Sequence, residues 1–536
     1  MKKEMSLLQK ERLLYRSQIP DILQDPLEVS LEEVPIAKEN SAIRELFPKT
    51  WAMPLFSLVK GKKCILAKRP LRVGVVFSGG QAPGGHNVIC GLFDTLKKIH
   101  PESSLIGFQD GPGGILKDRA IEITEELLSS YRNQGGFDLL GSGRGKIEKK
   151  EDLELSEKVA RSRKLDGLVI IGGDDSNTNA ALLAEFFLQK GCETKIIGVP
   201  KTIDGDLQNE HVEISFGFDT ACKVFSEEIG NIAKDALSAK KYYHFIKLMG
   251  RSASHVALEC ALQTHPNLTL IGEEILEKRM KLQEIVDLIA DLIVKRSLAK
   301  RNYGVILIPE GIIEFIPEMQ ALIQELNQIA ATGGDMQTAT ILSLLSKDPA
   351  TLFSSLPHSI QEELLLGRDP HGNVLLSQVE TEKLFIAMVT EALAKRKDYA
   401  GKFQPLSHFF GYEGRSALPS NFDAQYCTAL GTLAALLVHL EVTGMMCAIG
   451  HVKESVSQWT AKAVPLTSLI HLEMRKGEKK PVIKKALVDL KKKPFLTFQE
   501  AREKWKLQDS YHCPGPVQFF GDRKLCDSLS ASLYLR

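Results

Sequence analysis

One pattern limits the possible folds of this chain more than any other: from Leu71 to Val199, short apolar runs alternate with turns and helices. Apolar runs of about four to eight residues between turn residues are typical of buried strands. Strands joined by helices pair in parallel, since each crossover returns the chain to the same end of the sheet. The alternation therefore predicts a doubly wound α/β domain, with strands at 71–77, 168–171 and 195–199 and helices at 86–99, 121–132, 150–164 and 177–190.

The second half of the chain repeats this pattern less regularly. A helix at 220–236 leads to strands at 243–249 and 303–308, which indicates a second α/β domain. Residues 315–400 have helical periodicity and few strand candidates, so we interpret them as a helical insertion. The predicted organisation is an extension at 1–70 laid over the main body, a first domain at 71–219 that returns at 428–470, a second domain at 220–427, and a C-terminal segment at 471–536 packed on the second domain.

Composition indicates which kinds of partner and which cellular compartment to expect. The 536 residues carry 68 lysines and arginines against 67 acids, so the net charge of +1 gives no reason to expect nucleic acid as a partner. The nine cysteines are scattered without a CxxC pair, and the first residues lack the apolar core of a signal peptide, which favours a cytoplasmic protein. The apolar run at 430–447 contains His439 and Glu441 and is more typical of a buried helix than of a membrane span. The lysine-rich stretch at 475–493 is more typical of a solvated helical surface than of an anion site.

Candidate catalytic and ligand-binding residues lie where three predicted strands end. One strand runs into Pro200–Asp206, another into Gly172–Ser176, and the first into a glycine-rich loop at 78–85. Ligands of open α/β sheets bind at the carboxyl ends of the strands, so these segments are expected at one site. Glycine amides, a lysine and paired acids are the groups that bind phosphate and a metal. The three strand ends therefore predict a phosphate site with a metal.

Each segment alone has a plainer interpretation. Asp174 or Asp175 would suit the N-cap of the next helix, although a second acid there invites repulsion unless a cation is near. The glycine loop fits neither the dinucleotide spacing nor the Walker spacing, and it would equally suit a tight structural turn. Asp204 and Asp206 are two residues apart, which in an extended segment places both side chains on one side. The neighbouring Lys201 favours a site over an acidic turn.

Six segments resemble, in order, the motifs of the phosphofructokinase family, and its long pyrophosphate-dependent branch in particular. They are Gly79–Gly84, Gly172–Ser176, Pro200–Asp206, Met249–Arg251, Pro309–Gly311 and Gly411–Arg415. The resemblance implies two facing Rossmann-like domains with parallel-rich sheets, the phosphoryl donor in the first, the sugar in the second and Mg²⁺ between them. It implies reversible transfer of a phosphoryl group from pyrophosphate to the 1-hydroxyl of fructose 6-phosphate, giving fructose 1,6-bisphosphate and phosphate.

The family's donor-site residues carry over one position at a time. Asp204 matches the base that takes the proton of the sugar hydroxyl. Asp174 and Asp206 match the metal site, and Gly80 matches the backbone contact to the diphosphate. Arg144 matches a basic residue near the transferred phosphate.

The sugar-phosphate positions are carried over in the same way, with Arg415 beside the 6-phosphate. They are Thr202, Ile203, Asp204, Met249, Gly250, Arg251, Glu310, Tyr412, Glu413, Gly414 and Arg415. Lys241 and Tyr242 match a segment that reaches into the active site of a neighbouring subunit, which implies a homodimer or a larger homo-oligomer.

Three positions depart from the ATP-using members of the family. Those enzymes have glycine where this chain has Asp175 and Lys201, and a small residue where it has Asn179. A carboxylate at 175 would occupy the place of a nucleotide's α-phosphate, and the ammonium of Lys201 would stabilise charge on the departing phosphate. On the sugar side, Leu418–Phe422 replaces a histidine and a second arginine of the ATP-using branch. The departures favour pyrophosphate as the donor, with Asp175 and Lys201 as catalytic-site residues.

Other functions would suit a related chain. An ATP-dependent kinase of the same fold is opposed by Asp175 and Lys201. A non-catalytic regulatory subunit would be expected to lose Asp204 or the glycines of the donor loop, and this chain keeps them. An NAD-dependent oxidoreductase is less favoured still, because the sequence has no GxGxxG followed by a ribose-binding acid.

Overall fold

The computed structural model describes residues 4–35, 41–61, 69–332, 337–368, 374–475 and 478–536. The chain divides into two compact units. The first comprises Met1–Ala221, Tyr412–Ala486 and Val517–Leu529, and the second comprises Cys222–Gly411, Leu487–Pro516 and Ser530–Arg536.

The strands are β1 (Val29–Val34), β2 (Leu55–Lys60), β3 (Arg72–Phe77), β4 (Ser104–Phe108), β5 (Ala120–Ile123), β6 (Gly167–Gly172), β7 (Lys195–Thr202), β8 (Phe216–Gly217), β9 (Tyr243–Leu248), β10 (Leu268–Thr269), β11 (Gly304–Pro309), β12 (Pro405–Phe410), β13 (Met445–Gly450), β14 (Thr460–Pro465), β15 (Ile470–Arg475) and β16 (Glu478–Ile483).

The α-helices are α1 (Leu7–Leu14), α2 (Ser41–Leu46), α3 (Gly85–Ile99), α4 (Pro112–Leu116), α5 (Glu125–Ser129), α6 (Lys150–Ser162), α7 (Asp174–Gln189), α8 (Phe218–Ala239), α9 (His255–Thr264), α10 (Gly272–Glu277), α11 (Leu282–Leu298), α12 (Pro317–Ala331), α13 (Thr338–Leu344), α14 (Lys347–Ser355), α15 (His358–Leu366), α16 (Thr381–Lys395), α17 (Tyr412–Arg415), α18 (Asn421–His439), α19 (Lys493–Leu507), α20 (Arg523–Cys526) and α21 (Ala531–Leu535).

The first unit is built on one large mixed sheet with the strand order β1-β2-β14-β13-β7-β6-β3-β4-β5, with β8 paired to β7. Its centre, from β13 through β7, β6 and β3 to β4, is parallel. Strands β6 and β13 are buried along their whole length, as expected for parallel strands covered on both faces. The predicted parallel-rich α/β class is confirmed.

The N-terminal extension is part of this sheet and is not merely laid over the main body. Strand β2 pairs with β14, and β1 pairs with β2, both antiparallel. The extension therefore covers an edge of β14 that would otherwise present unpaired backbone groups. Alternation of polar and apolar residues is weak in Val29–Val34, which is why composition and turns alone did not predict a strand there.

The second unit has a smaller, all-parallel sheet with the order β10-β11-β9-β12. Helices α12 to α16 fill most of the described residues between 317 and 395, the stretch predicted as a helical insertion. Its helices share one apolar core with the sheet, in which Leu322, Phe353 and Leu384 are fully buried beside Phe245 of β9. The insertion is thus a structural part of this unit.

The end of the chain differs from the prediction. Residues 471–486 and 412–427 belong to the first unit, whereas the sequence analysis assigned them to the second domain or to a segment packed on it. The lysine-rich stretch does not begin as a solvated helix. It contains β16, which pairs with β15 in an antiparallel hairpin.

A second local difference lies at 121–132, which was predicted as one helix. Ala120–Ile123 forms β5, an antiparallel edge strand on β4, and only Glu125–Ser129 is helical. Thr124 separates the two, because its hydroxyl accepts a hydrogen bond from the Leu127 amide and caps α5.

The apolar run at 430–447 is not one continuous helix, since it divides into the end of α18 and the start of β13. In the described part of the chain, none of the helices has the length and apolar character that a membrane span requires.

Candidate active site

The glycine loop after β3 is held open by backbone contacts. The Ser78 amide donates to Ile171 O at 2.8 Å, which joins β3 to β6 at their carboxyl ends. The Gly79 amide donates to Gly143 O at 2.9 Å, and the Ser142 hydroxyl donates to Gly79 O at 2.6 Å. Gly79 has a φ of +85°, which favours glycine. A Cβ on Gly80 would meet the guanidinium of Arg415, so a side chain there would displace the end of that arginine.

The two acids of the second segment open helix α7. Gly173 is the N-cap residue of α7, so Asp174 and Asp175 lie inside its first turn, and the interpretation that one of them is the N-cap is wrong. The Thr178 hydroxyl donates to Asp174 O at 2.9 Å. Carboxylates in a first turn interact favourably with the helix dipole, yet two adjacent carboxylates still need a cation nearby.

Those cations are two lysines that the sequence analysis did not assign. Lys146 Nζ lies 3.3 Å from Asp175 Oδ2. Lys485 Nζ lies 3.6 Å from Asp174 Oδ2 and 3.9 Å from Asp206 Oδ2. Lys146, which belongs to none of the six motifs, thus forms an ion pair with Asp175.

Lys201 and Thr202 are the last residues of β7. Lys201 is 6% exposed, and burial lowers its pKa to about 8, against the opposing effect of the Asp204 carboxylate. Its Nζ lies 3.4 Å from the place of a Cβ on Gly79, so the ammonium reaches the donor loop. The structure therefore brings the buried lysine and the glycine loop together, as predicted for a phosphate site.

The acidic turn after β7 is fixed by its own backbone. The Asp204 amide donates to the Thr202 hydroxyl at 3.0 Å, and Gly205 adopts a φ of +73°. The Asp204 side chain is half-buried and Asp206 is buried. Ile203 is also buried.

Asp206 meets the conditions for a cation site. Burial, together with the Asp204 carboxylate, raises the pKa of Asp206 to about 7. Asp174 and Asp206 share one ammonium within 4.0 Å, so the two predicted metal ligands converge on a single position. In the described part of the chain, no group of three or more metal-ligating side chains forms a complete cage. Two carboxylates suit Mg²⁺, which is commonly held by one or two carboxylates, water and substrate phosphates.

In the second unit, the residues predicted to bind the sugar phosphate follow the ends of three parallel strands. Met249–Arg251 follows β9, Glu310 follows β11, and Gly411 follows β12. The Gly250 amide donates to Glu310 Oε2 at 3.1 Å, and the Met249 amide donates to Phe410 O at 2.9 Å. Gly250 has a φ of +143°, outside the range that side chains commonly adopt. The structure thus brings Gly250 and the buried Glu310 together.

Lys241 and Tyr242 lie elsewhere in that unit. They precede β9, whereas Met249–Arg251 follows it, so a strand of six residues, about 20 Å long, separates them. Lys241 Nζ lies 4.8 Å from the centre of the Tyr242 ring. Within this unit they do not belong to the same strand end as the sugar segment.

The last predicted segment forms the short helix α17 in the first unit. Arg415 donates from Nη2 to Gln81 Oε1 at 2.7 Å, and its guanidinium lies over the Tyr412 ring at 5.5 Å. Tyr412 and Glu413 are exposed and Gly414 is buried. The structure therefore places Arg415 against the donor loop, whereas the resemblance assigns it to the sugar 6-phosphate. Arg144, predicted near the transferred phosphate, is exposed.

Lys146 and Lys485 were not predicted as site residues, although both lie in segments whose composition stands out in the sequence. Lys146 ends the glycine-rich loop that contains Arg144, and Lys485 lies in the lysine-rich stretch at 475–493. The local sequence does not predict which aspartate each lysine contacts, because the two members of each ion pair lie in different segments of the chain.

Comparison with known proteins agrees with this geometry. The phosphofructokinase family profile matches residues 72–438. This chain belongs to the phosphofructokinase family. The family predicted from the six motifs is confirmed.

Individual relatives extend the phosphofructokinase match to nearly the whole chain. The chain is 49% identical to the pyrophosphate–fructose 6-phosphate 1-phosphotransferase of Treponema pallidum (strain Nichols), over 99% of this chain and 97% of the relative. It is 50% identical to subunit beta 2 of the enzyme of that name from Arabidopsis thaliana, over 96% of this chain and 92% of the relative. The solved pyrophosphate-dependent phosphofructokinase from Marinobacter aquaeolei is similar in fold, with a TM-score of 0.54 at 16% identity, over 82% of this chain and 93% of that one.

Proposed function

We propose that this chain is a pyrophosphate–fructose 6-phosphate 1-phosphotransferase. It transfers a phosphoryl group reversibly from pyrophosphate to the 1-hydroxyl of fructose 6-phosphate, giving fructose 1,6-bisphosphate and phosphate. Relatives that are 49% and 50% identical over nearly the whole chain bear that name. The observation that carries the proposal is the buried Lys201 ammonium beside the donor glycine loop, with Asp175 in the first turn of α7.

Phosphoryl transfer is catalysed mainly by positioning and by stabilising charge on phosphate oxygens. The backbone at Gly80 is free of a side chain and approaches Arg415 closely, so it can bind the donor through amide groups. Lys201 keeps most of its charge near neutral pH, because its pKa is lowered only to about 8. Its ammonium stabilises the negative charge that accumulates on the departing phosphate.

Asp204 accepts the proton of the attacking sugar hydroxyl. Its loop is fixed by the hydrogen bond from its own amide to Thr202, which leaves the half-buried carboxylate accessible. A base acts when it is held within hydrogen-bond reach of the proton that it removes. Gly250, Arg251 and Glu310, at the strand ends of the second unit, bind the sugar phosphate.

We also propose that Asp174 and Asp206 hold Mg²⁺. When bound, the ion supplies positive charge to the oxygens of the diphosphate. The convergence of the two carboxylates on one cation position supports this assignment. Burial and the Asp204 carboxylate, which raise the pKa of Asp206, also favour a cation beside it. Removal of Mg²⁺ with a chelator is expected to abolish turnover, and added Mg²⁺ is expected to restore it.

Two further properties of the protein belong to the proposal. The active form is a homodimer or a larger homo-oligomer, in which Lys241 and Tyr242 contribute to the active site of a neighbouring subunit. Their place before β9, a strand length from Met249–Arg251, supports a role away from their own strand-end site. The enzyme is cytoplasmic, as its cysteine usage suggests.

The experiment that tests the proposed function follows phosphorus directly. Purified protein with Mg²⁺, fructose 6-phosphate and pyrophosphate is monitored by ³¹P NMR. We expect pyrophosphate to disappear only when the sugar is present, as equal amounts of phosphate and fructose 1,6-bisphosphate form. Fructose 1,6-bisphosphate and phosphate are expected to regenerate pyrophosphate. Pyrophosphate loss without the sugar would indicate a hydrolase and contradict the proposal.

A further inference from the structure

The C-terminal hairpin brings a lysine to the donor site from a distant part of the sequence. Strands β15 and β16 precede residues 484–486, and Lys485 Nζ lies within 4.0 Å of both Asp174 and Asp206. The family motifs end well before this residue. Lys485 therefore adds a cation that none of those motifs contains.

The backbone on both sides of Lys485 is anchored to the elements that carry the two aspartates. The Ile483 amide donates to the Thr178 hydroxyl of α7 at 3.1 Å, and that hydroxyl donates to Asp174 O. The Ala486 amide donates to Asp206 O at 2.7 Å. These contacts fix the position of the Lys485 Cα relative to both carboxylates.

The Lys485 ammonium makes long ion pairs with the two carboxylates. The Lys485 side chain is 36% exposed, and its distances of 3.6 Å and 3.9 Å are too long for good hydrogen bonds to either carboxylate. An ammonium at the strand ends of the donor site can also contact the oxygens of a bound diphosphate, which carries several negative charges.

We propose that Lys485 is a diphosphate-binding residue supplied by the C-terminal hairpin. It contacts a phosphate oxygen of the bound donor and, with Lys201, neutralises its charge. This inference rests on the proposed function, because it takes the strand ends of the first unit as the donor site. Lys484 provides a matched control, since its exposed side chain is the neighbouring lysine in the same loop.

Calorimetric titration of the full-length protein with pyrophosphate, in EDTA and without sugar, tests the inference. We expect Lys485→Gln to weaken pyrophosphate binding about 10- to 100-fold, as for a lost hydrogen bond to a charged group. Lys484→Gln is expected to bind like the wild type, and Lys485→Arg is expected to bind more tightly than Lys485→Gln. The KM for pyrophosphate should rise in Lys485→Gln while the KM for fructose 6-phosphate stays unchanged.

A measurement on the wild-type protein tests the role of Lys485 without a substitution that could affect folding. Acetylation of lysines, quantified by mass spectrometry, is expected to slow at Lys485 but not at Lys484 when pyrophosphate is added. Equal pyrophosphate affinity in the two glutamine variants, or an unchanged acetylation rate at Lys485, would overturn the inference and leave the proposed function intact. Failure of the wild type to bind pyrophosphate both in EDTA and with Mg²⁺ present would instead contradict the proposed function.

Discussion

At the residue scale, Asp204 is the group whose removal should affect chemistry more than binding. Its amide is bonded to Thr202, so Asp204→Asn keeps the loop and changes only the basicity of the side chain. We expect kcat to fall by about 10²–10⁴-fold, the usual contribution of a general base, with little change in affinity for fructose 6-phosphate. Steady-state kinetics and equilibrium binding of the sugar measure the two quantities. A variant that keeps a third of wild-type turnover would remove Asp204 from the mechanism.

Donor choice is expected to depend differently on Asp175 and on Lys201. Asp175→Gly opens the proposed place of an α-phosphate and removes the partner of Lys146, so it should gain measurable ATP-dependent activity and lose pyrophosphate-dependent activity. Lys201→Gly creates no such space and should only lose turnover, by about 10²–10³-fold for one electrostatic stabiliser. The measurement is kcat/KM for both donors.

A matched control for Asp175→Gly exists beside it. Glu148 Oε1 lies 3.5 Å from Lys146 Nζ, so Glu148→Gln removes a carboxylate from the same lysine without altering the first turn of α7. We expect this variant to keep wild-type donor preference. Unchanged pyrophosphate turnover in Asp175→Gly would contradict the role of Asp175.

The sequence could predict site residues that lie at the end of a predicted strand. It could not predict ion pairs between residues of different segments. Asp174 and Lys201 follow from strand ends alone, because the carboxyl ends of parallel strands share one edge of the sheet. Lys485 does not, because its position depends on a hairpin whose docking on α7 has no local signal. The ion pair between Lys146 and Asp175 does not follow either, because it depends on how the loop that ends at Lys146 packs against the start of α7.

At the scale of elements, a buried carboxylate joins α18 to the start of α8. Asp423 Oδ1 accepts the Gly217 amide at 2.9 Å, and Oδ2 accepts the Thr220 amide at 2.9 Å. Burial, together with the nearby Asp219 carboxylate, raises the pKa of Asp423 to about 7. The contact fixes the segment that follows the acidic turn of the donor site.

This raised pKa predicts how stability depends on pH. The folded carboxyl holds its proton up to about pH 7, whereas the unfolded one releases it near about pH 3.9, so the folded state binds more protons between these values. The contribution of Asp423 to stability is therefore fully present below about pH 3.9 and is lost as the pH rises through about 7.

Chemical unfolding between about pH 4 and pH 8 tests this expectation. Asp423→Asn, which cannot titrate, should show a smaller decrease in the free energy of unfolding over that range than the wild type. Glu151→Gln removes an exposed carboxylate in the first turn of α6 and should leave the pH dependence unchanged. Parallel curves for the wild type and Asp423→Asn would contradict the prediction.

Elements with a strong apolar run were predictable, and elements defined by their partners were not. Strand β6 and helix α18 are buried along nearly all of their length, so their composition alone identifies them. Strands β1, β5 and β16 lie at sheet edges or in the hairpin, where only the neighbouring strand selects an extended conformation over a helix or a coil.

At the scale of the whole molecule, the proposed sharing of active sites predicts complementation between subunits. Asp204→Asn and Tyr242→Ala are each expected to be nearly inactive alone. Mixing them under conditions that allow subunit exchange should restore part of the activity, because some sites would then combine an intact Asp204 with an intact Tyr242. Light scattering gives the oligomeric state, and a fully active monomer would contradict the prediction.

Pyrophosphate, and not ATP, is the proposed phosphoryl donor. The most direct test is kcat/KM of the wild-type protein for each donor, with saturating fructose 6-phosphate and Mg²⁺. The buried Lys201 and the carboxylate of Asp175 predict efficient turnover with pyrophosphate and little or none with ATP. A higher kcat/KM for ATP than for pyrophosphate would contradict the account.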